Sequence, residues 1–336
     1  MVIKDMKEHK YKYEWTLKDA VFTKDRGKVF SCFACGGGST MGYKLSGFDV
    51  LGCNEIDPRM IEAYRANHKP KYSFLEPIQD FKSKKDLPKE LFNLDILDGS
   101  PPCSSFSMAG LREKAWGKQK KFREGQALQI LDTLFFDFID LAERLQPKVV
   151  IGENVKGLLL GNAKEYVEKI YKAFDKAGFV CQHFLLKGSD MGVPQGRERV
   201  FFICLRKDLA KRFSKTNNLF EQKPYLNLDF NEKPILSKEV VTKGKPISNK
   251  TSYLESRYGD ILFNPDKVFN TICTRNRYFY DLKHYVSDET YLRAGTYPMD
   301  YDFVKTQPLY LTGMSVPPVM TAQVVSRVYE QWLSKI

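Results

Sequence analysis

A chain of 336 residues can hold one large domain with a substantial core or a core domain with a smaller insert, and its 53 Lys and Arg against 41 Asp and Glu give a formal charge of +12 that suits a polyanion without excluding a generically basic protein. With neither a charged-then-apolar leader nor an apolar run of about eighteen residues, a signal peptide, a spanning helix and a membrane partner are not expected, and a cytoplasmic location is. The 7 cysteines are odd in number and scattered, which predicts reduced thiols rather than a disulfide framework.

Residues 1–27 mix Lys4, Lys7, Lys10, Lys12 and Lys18 with Tyr11, Tyr13 and Trp15 and show no clean period, so an appended arm is expected, tied down by its aromatics or touching nucleic-acid phosphates. From Val29 the pattern sharpens. An apolar run to Phe33, a glycine cluster, a helical stretch to Ser46 and a second strand over residues 48–53 open as strand, helix, strand. Cys32 and Cys35 form a CxxC with no second pair, and with 4 His in the chain they read as packing, with no metal expected. Short apolar strands are predicted at 94–97, 149–151 and 200–205. Between the first two of these, Ala127, Leu131, Leu134, Phe138, Leu141 and Leu145 recur at helical spacing, predicting a crossover helix. Alternating strands and helices imply a mainly parallel sheet covered on both faces, with ligands beyond the carboxyl ends of its strands. After Arg206 periodicity weakens, so residues 215–266 read as an irregular, strand-poor module. An amphipathic helix over 319–333, with Val324, Val328 and Trp332 on one face, ends the chain.

The candidate chemistry lies at the strand ends. Gly36, Gly37 and Gly38 let the backbone approach a ligand, and Glu55 at the end of the second strand can accept hydrogen bonds from both hydroxyls of a ribose, a pattern open to a dinucleotide, a methyl donor or packing alone. In Asp98-Gly99-Ser100-Pro101-Pro102-Cys103 two prolines restrict the loop and present a thiol at the sheet edge, although a small buried core cysteine is the plainer reading. Glu153, followed by Asn154, is a carboxyl that can donate a proton to a ring nitrogen, or a helix-capping acid. Arg197 and Arg199 alternate along a strand and can reach a base carbonyl or a phosphate; a surface ion-pair ladder with Glu198 and Asp190 is the alternative.

Together and in this order these motifs resemble the cytosine-5 DNA methyltransferase family, of the prokaryotic restriction-modification type. The resemblance runs from about residue 29 to 332. It rests on residues 33–38, Glu55, Pro102-Cys103, Phe106-Ser107, Thr133-Leu134-Phe135, Glu153-Asn154-Val155, Gln195-x-Arg197-x-Arg199 and Ser315-Val316-Pro317, with a divergent motif around Leu292 and Tyr297-Pro298. Cys35 stands where many members have glycine, Glu76-Pro77-Ile78 where Gly-Asp-Ile is usual, and Met314 where asparagine is usual.

The resemblance implies an α/β, Rossmann-like S-adenosyl-L-methionine-dependent methyltransferase domain, discontinuous over 28–210 and 300–336, with a smaller irregular target-recognition domain over 211–299. It assigns the cofactor to Phe33, Gly36, Gly38, Glu55, Ile56, Pro102, Leu134 and Ser315, with Phe33 stacking on adenine. Cys103 adds to carbon 6 of a cytosine flipped from double-stranded DNA, Glu153 serves ring nitrogen 3, Arg199 and Arg197 hold the base and the loop, and Asn154 orients the site. A monomer on DNA is expected, and a cognate restriction endonuclease is a companion the resemblance allows. Three rivals stay open: the same chemistry on transfer RNA, a nicotinamide-dependent oxidoreductase suggested by the glycine loop and Glu55, and a DNA-binding protein that has lost catalysis through Cys35, Pro77 and Met314.

Overall fold

The computed structural model describes residues 7–102, 133–160, 163–213, 223–247 and 259–336, with the backbone of two short strands, Gln119–Lys120 and Gln129–Ile130. Strands β1 (Lys28–Cys32), β2 (Asp49–Glu55), β3 (Tyr72–Leu75), β4 (Ile96–Gly99), β5 (Val149–Val155), β6 (Phe179–Lys187) and β7 (Glu198–Arg206) form a seven-stranded sheet in the order β3-β2-β1-β4-β5-β7-β6. The first five run parallel, and β7 lies antiparallel between β5 and β6. The fold is therefore the mainly parallel, Rossmann-like one expected.

The alternation of side chains along each strand feeds two separate cores. Val29, Val50, Ile96, Val149 and Ile151 point to one face, where they meet Tyr43 of helix α1 (Gly38–Leu45) and Val319, Val324 and Val328. Phe30, Leu51, Leu97 and Val150 point to the other, against Phe81, Phe138, Leu141, Ile170 and Phe174. These last five belong to helices α3 (Ile78–Ser83), α4 (Leu134–Leu145) and α5 (Ala163–Lys176). Helix α2 (Pro58–His68) begins at Asp57, whose carboxylate accepts the Arg59 amide at 2.9 Å, with Pro58 in the first turn where its missing N–H costs nothing.

The expected crossover helix is shorter than its apolar periodicity suggested. Helix α4 starts at Leu134, and Gln129–Ile130 instead pairs antiparallel with Gln119–Lys120; Ala127 and Leu131 lie outside the described residues. The physical boundary is where the apolar stripe meets the sheet: Leu134, Phe135, Phe138 and Leu141 are fully or nearly buried, each worth roughly 1.5–3 kcal/mol.

Residues 243–286 contain a four-stranded sheet, β8 (Lys243–Pro246), β9 (Asp260–Leu262), β10 (Arg277–Asp281) and β11 (His284–Val286), in the order β8-β11-β10-β9. It has its own core of Ile235, Val240, Phe269, Ile272, Tyr278 and Tyr291. Two of these strands, of 4 and 3 residues, fall within 215–266 and the other two lie beyond it, and all are too short to show alternation in the sequence. Helices α6 (Asp288–Ala294) and α7 (Pro308–Met314) lead to α8 (Pro318–Gln331), which buries Val324 and Val328 as expected, with Trp332 buried just beyond its end. The N-terminal segment is strapped across both parts. The Tyr11 hydroxyl bonds Ser326 Oγ at 2.6 Å, Trp15 Nε1 donates to the Thr296 carbonyl at 3.0 Å, and Glu14 pairs with Arg293 at 2.8 Å. No helix among the described residues is long and apolar enough to cross a membrane.

Candidate active site

Beyond β1 the chain turns sharply, with Phe33 at φ 52°, Cys35 at φ 51° and Gly37 at φ 86° all left-handed. The turn is held by Glu55. Its Oε2 accepts the Cys35 amide at 2.7 Å, and its Oε1 accepts the Ile56 and Asp57 amides at 2.8 and 2.9 Å. A carboxylate offers about four acceptor directions, so about one remains, on Oε2. Burial pushes the Glu55 carboxyl above its ordinary range, against those three amides.

Gly36 and Gly38 each have protein packed where a side chain would start. A Cβ on Gly36 would lie 2.6 Å from a Leu311 methyl carbon, and one on Gly38 would lie 2.5 Å from the Val316 carbonyl oxygen. The segment from Tyr297 to Val316 closes over the turn. Tyr301 donates to the Gly36 carbonyl at 2.5 Å, Tyr297 donates to Ser315 Oγ at 2.7 Å, and Ser315 Oγ donates to the Leu311 carbonyl at 2.9 Å. Ser315 is thus buried and bonded on both sides of its hydroxyl. Phe33 is half-buried, its ring 6.4 Å from Phe138 in an edge arrangement; Ile56 and Pro102 are half-buried, and Leu134 is wholly inside the core.

At the end of β4 the buried Asp98 is a hub that the sequence reading quoted without giving it a task. Its Oδ2 accepts Ser39 at 2.8 Å and Ser31 at 3.0 Å, and its Oδ1 accepts Tyr43 at 3.0 Å. Burial pushes its carboxyl up to about 6, with the three hydroxyls pulling the other way and the charge of Glu153 adding a further upward push. The loop that follows is clasped from β5, where Asn154 Nδ2 donates to the Pro101 carbonyl at 3.1 Å and Asn154 Oδ1 accepts the Val155 amide at 2.9 Å. Cys103 lies outside the described residues, as do Phe106 and Ser107.

Glu153 and Arg199 meet across neighbouring strands, Arg199 Nε to Glu153 Oε1 at 2.8 Å, with side chains only 14% and 11% exposed. That burial separates them from a solvated surface pair. Arg199 also donates to the Glu198 carbonyl at 2.8 Å, while the Glu198 carboxylate pairs with Lys156 at 2.9 Å. Arg197 goes elsewhere. It is 2% exposed, and its two terminal nitrogens donate to the carbonyls of Ile272 at 3.0 Å and Gly313 at 3.1 Å. Burial pushes its guanidinium down to about 9, aided by Arg199 and opposed by Glu153, Cys273 and Tyr278. Gln195 adds a second brace, donating to the Ala294 carbonyl at 2.6 Å and accepting the Ile272 amide at 3.2 Å. Asp98, Gln195, Tyr297 and Tyr301 escaped a role at the sequence level because their partners are distant in the chain.

Among the described residues the structure thus gathers Glu153, Asn154, Arg199 and the Pro101–Pro102 turn on adjoining strand ends, beside the Glu55-held glycine turn, and sets Arg197 apart as a brace to the small sheet. Residues 27–330 match the model of the C-5 cytosine-specific DNA methylase family. The chain is 32% identical over 248 residues to the type II methyltransferase M.FnuDI of Fusobacterium nucleatum, a match covering 72% of this chain and 67% of that protein. It is 35% identical over 192 residues to the type II methyltransferase M.NgoPII of Neisseria gonorrhoeae, covering 56% of this chain and 50% of that one. Two solved structures share the fold over 90% of this chain and 99% of their own: a DNA modification methyltransferase encoded within an E. coli prophage, with a TM-score of 0.65 at 17% identity, and a mutant of Spodoptera frugiperda DNMT2, with 0.63 at 16%. From this agreement of motif order, fold and matched length, the chain belongs to the C-5 cytosine-specific DNA methylase family.

Proposed function

We propose that the chain methylates carbon 5 of a cytosine in double-stranded DNA, taking the methyl group from S-adenosyl-L-methionine and using Cys103 as nucleophile. The observation that carries this reading is the buried Glu153–Arg199 pair next to the Asn154 clasp on Pro101, two residues before Cys103, within a chain of this family. The cofactor fits the donor set. Glu55 keeps about one acceptor direction for a ribose hydroxyl, and Phe33 offers a half-buried ring beside a backbone turn built of glycine. Glu55 with Phe33, Ile56, Pro102 and Leu134 would hold the nucleoside, Gly36, Gly38 and Ser315 shaping the turn around it.

Carbon 5 of cytosine is a poor nucleophile, so the ring has to be activated first. The thiolate of Cys103 adds to carbon 6 as Glu153 gives a proton to ring nitrogen 3, leaving an enamine whose nucleophilic carbon is carbon 5. Bound S-adenosyl-L-methionine supplies an electrophilic methyl group to that carbon. A base then takes the carbon 5 proton, the carbon–sulfur bond breaks, and ring nitrogen 3 returns its proton to the Glu153 carboxylate, restoring the ring, the thiolate and the acid. Arg199 holds Glu153 and the extruded base, and Asn154 fixes the loop. Extruding the base costs a few kcal/mol. Residues 28–210 with 300–336 form the catalytic part, and 211–299, together with the basic arm, bind and read the duplex as a monomer, with a cognate endonuclease as a companion.

Tritiated S-adenosyl-L-methionine offered with mixed DNA and RNA, to the parent and to Cys103→Ser, tests the proposal. Label is expected in DNA cytosine for the parent alone. Label in RNA only, or label surviving in the serine variant, would overturn it.

A further inference from the structure

The turn at residues 271–276 lies between Phe269 and β10 and is bonded to the chain that carries Arg199. Thr271 Oγ1 donates to the Gly196 carbonyl at 3.0 Å, the Ile272 amide donates to Gln195, and the Ile272 carbonyl takes Arg197. Tyr278 secures it from behind, donating to the Thr271 carbonyl and accepting the Cys273 amide, both at 2.7 Å, and the Asn276 amide closes the turn on the Cys273 carbonyl at 3.1 Å. Gly313 backs it closely, since a Cβ there would lie 3.0 Å from the Thr274 nitrogen. Arg197, bonded to the Ile272 carbonyl of the turn, is two residues before Arg199, whose guanidinium pairs with Glu153, so the turn stands beside the Glu153 site.

From this rigid turn the side chains of Cys273 and Arg275 are exposed. The other arginines nearby are engaged: Arg277 with Asp260, Arg293 with Glu14 and Glu289, Arg199 with Glu153, Arg197 with two carbonyls. Arg275 has no carboxylate partner among the described residues. A guanidinium is a planar fork that matches the O6 and N7 of guanine in the major groove, and a backbone already bonded in place loses little freedom on binding. A phosphate asks only for charge, which the chain's many lysines supply.

Resting on the methyltransferase reading above, we infer that Arg275 is a specificity-determining residue that reads a guanine flanking the target cytosine. The test uses the full chain, a pool of duplexes randomised around a cytosine, and sequencing of the methylated sites by bisulfite conversion. The parent is expected to require guanine at one position. In Arg275→Ala that preference falls by about fivefold to a hundredfold while the other positions hold, and Arg275→Gln shifts it toward adenine, which a side-chain amide matches. Equal binding of S-adenosyl-L-methionine and an unchanged melting temperature exclude misfolding as the cause. An unchanged sequence preference, or a uniform loss of methylation over all sequences as a phosphate contact gives, overturns the inference; a parent that methylates no cytosine overturns the enzyme reading beneath it.

Discussion

Asp98 and Glu153 close neighbouring parallel strands, and both are buried, yet they are held by opposite means. Asp98 is surrounded by three hydroxyls, whose dipoles offset only part of the cost of keeping a charge out of water, so its proton affinity rises to about 6. Glu153 faces a full positive charge, the guanidinium of Arg199 at 2.8 Å. The difference separates a joint from a tool. Asp98 ties β4 to β1 and α1 below the Pro101–Pro102 turn, whereas the Glu153–Arg199 pair stands at the strand ends beside that turn, where the proposed function would bring a substrate base.

The comparison can be broken most severely at Glu153. Glu153→Gln removes the proposed proton donor while keeping the shape, and kcat is expected to fall by about a hundredfold to ten-thousandfold with little change in cofactor affinity; a rate within a few-fold of the parent would remove Glu153 from the chemistry. Arg199→Met comes next, because it leaves the carboxylate buried without its cation. A loss of about 3 kcal/mol in denaturant unfolding is expected at neutral pH, and an unchanged midpoint would mean that the pair is solvated after all.

The smallest effect is the pH dependence from Asp98. Its folded value, about 6, lies above the ordinary 3.8, so the contribution it makes to stability is full below about pH 4 and is lost as pH rises through 6. The loss is roughly 2–3 kcal/mol at most. Asp98→Asn should flatten that part of the stability profile between pH 4 and 6; a variant with the parent's slope would mean that another group titrates there.

What the sequence revealed of this arrangement follows from where each element lies. Strands β1, β4, β5 and β7 are covered on both faces and read as short, mostly apolar runs. The edge strand β3 is only Tyr72–Leu75, and β6 is broken by the half-exposed Gln182 and the exposed His183 between its apolar ends, and both went unread. The small sheet escaped for a different reason, its strands being too short for a period. Glu55, Glu153 and Asn154 were legible because each ends an apolar strand. Asp98's role was not, since Ser31, Ser39 and Tyr43 are 55 to 67 residues away along the chain. Arg197 and Arg199 look equivalent by alternation, and only the distant carbonyls of Ile272 and Gly313 tell them apart.

The claim at the centre is a transient bond between the sulfur of Cys103 and carbon 6 of the target cytosine. It is tested most directly with duplexes carrying fluorine at carbon 5 of cytosine, incubated with S-adenosyl-L-methionine and then denatured. The fluorine cannot leave as a proton does, so the parent should be recovered covalently attached to methylated DNA and Cys103→Ser should not. Free release of the methylated, fluorinated duplex by the parent would contradict the account.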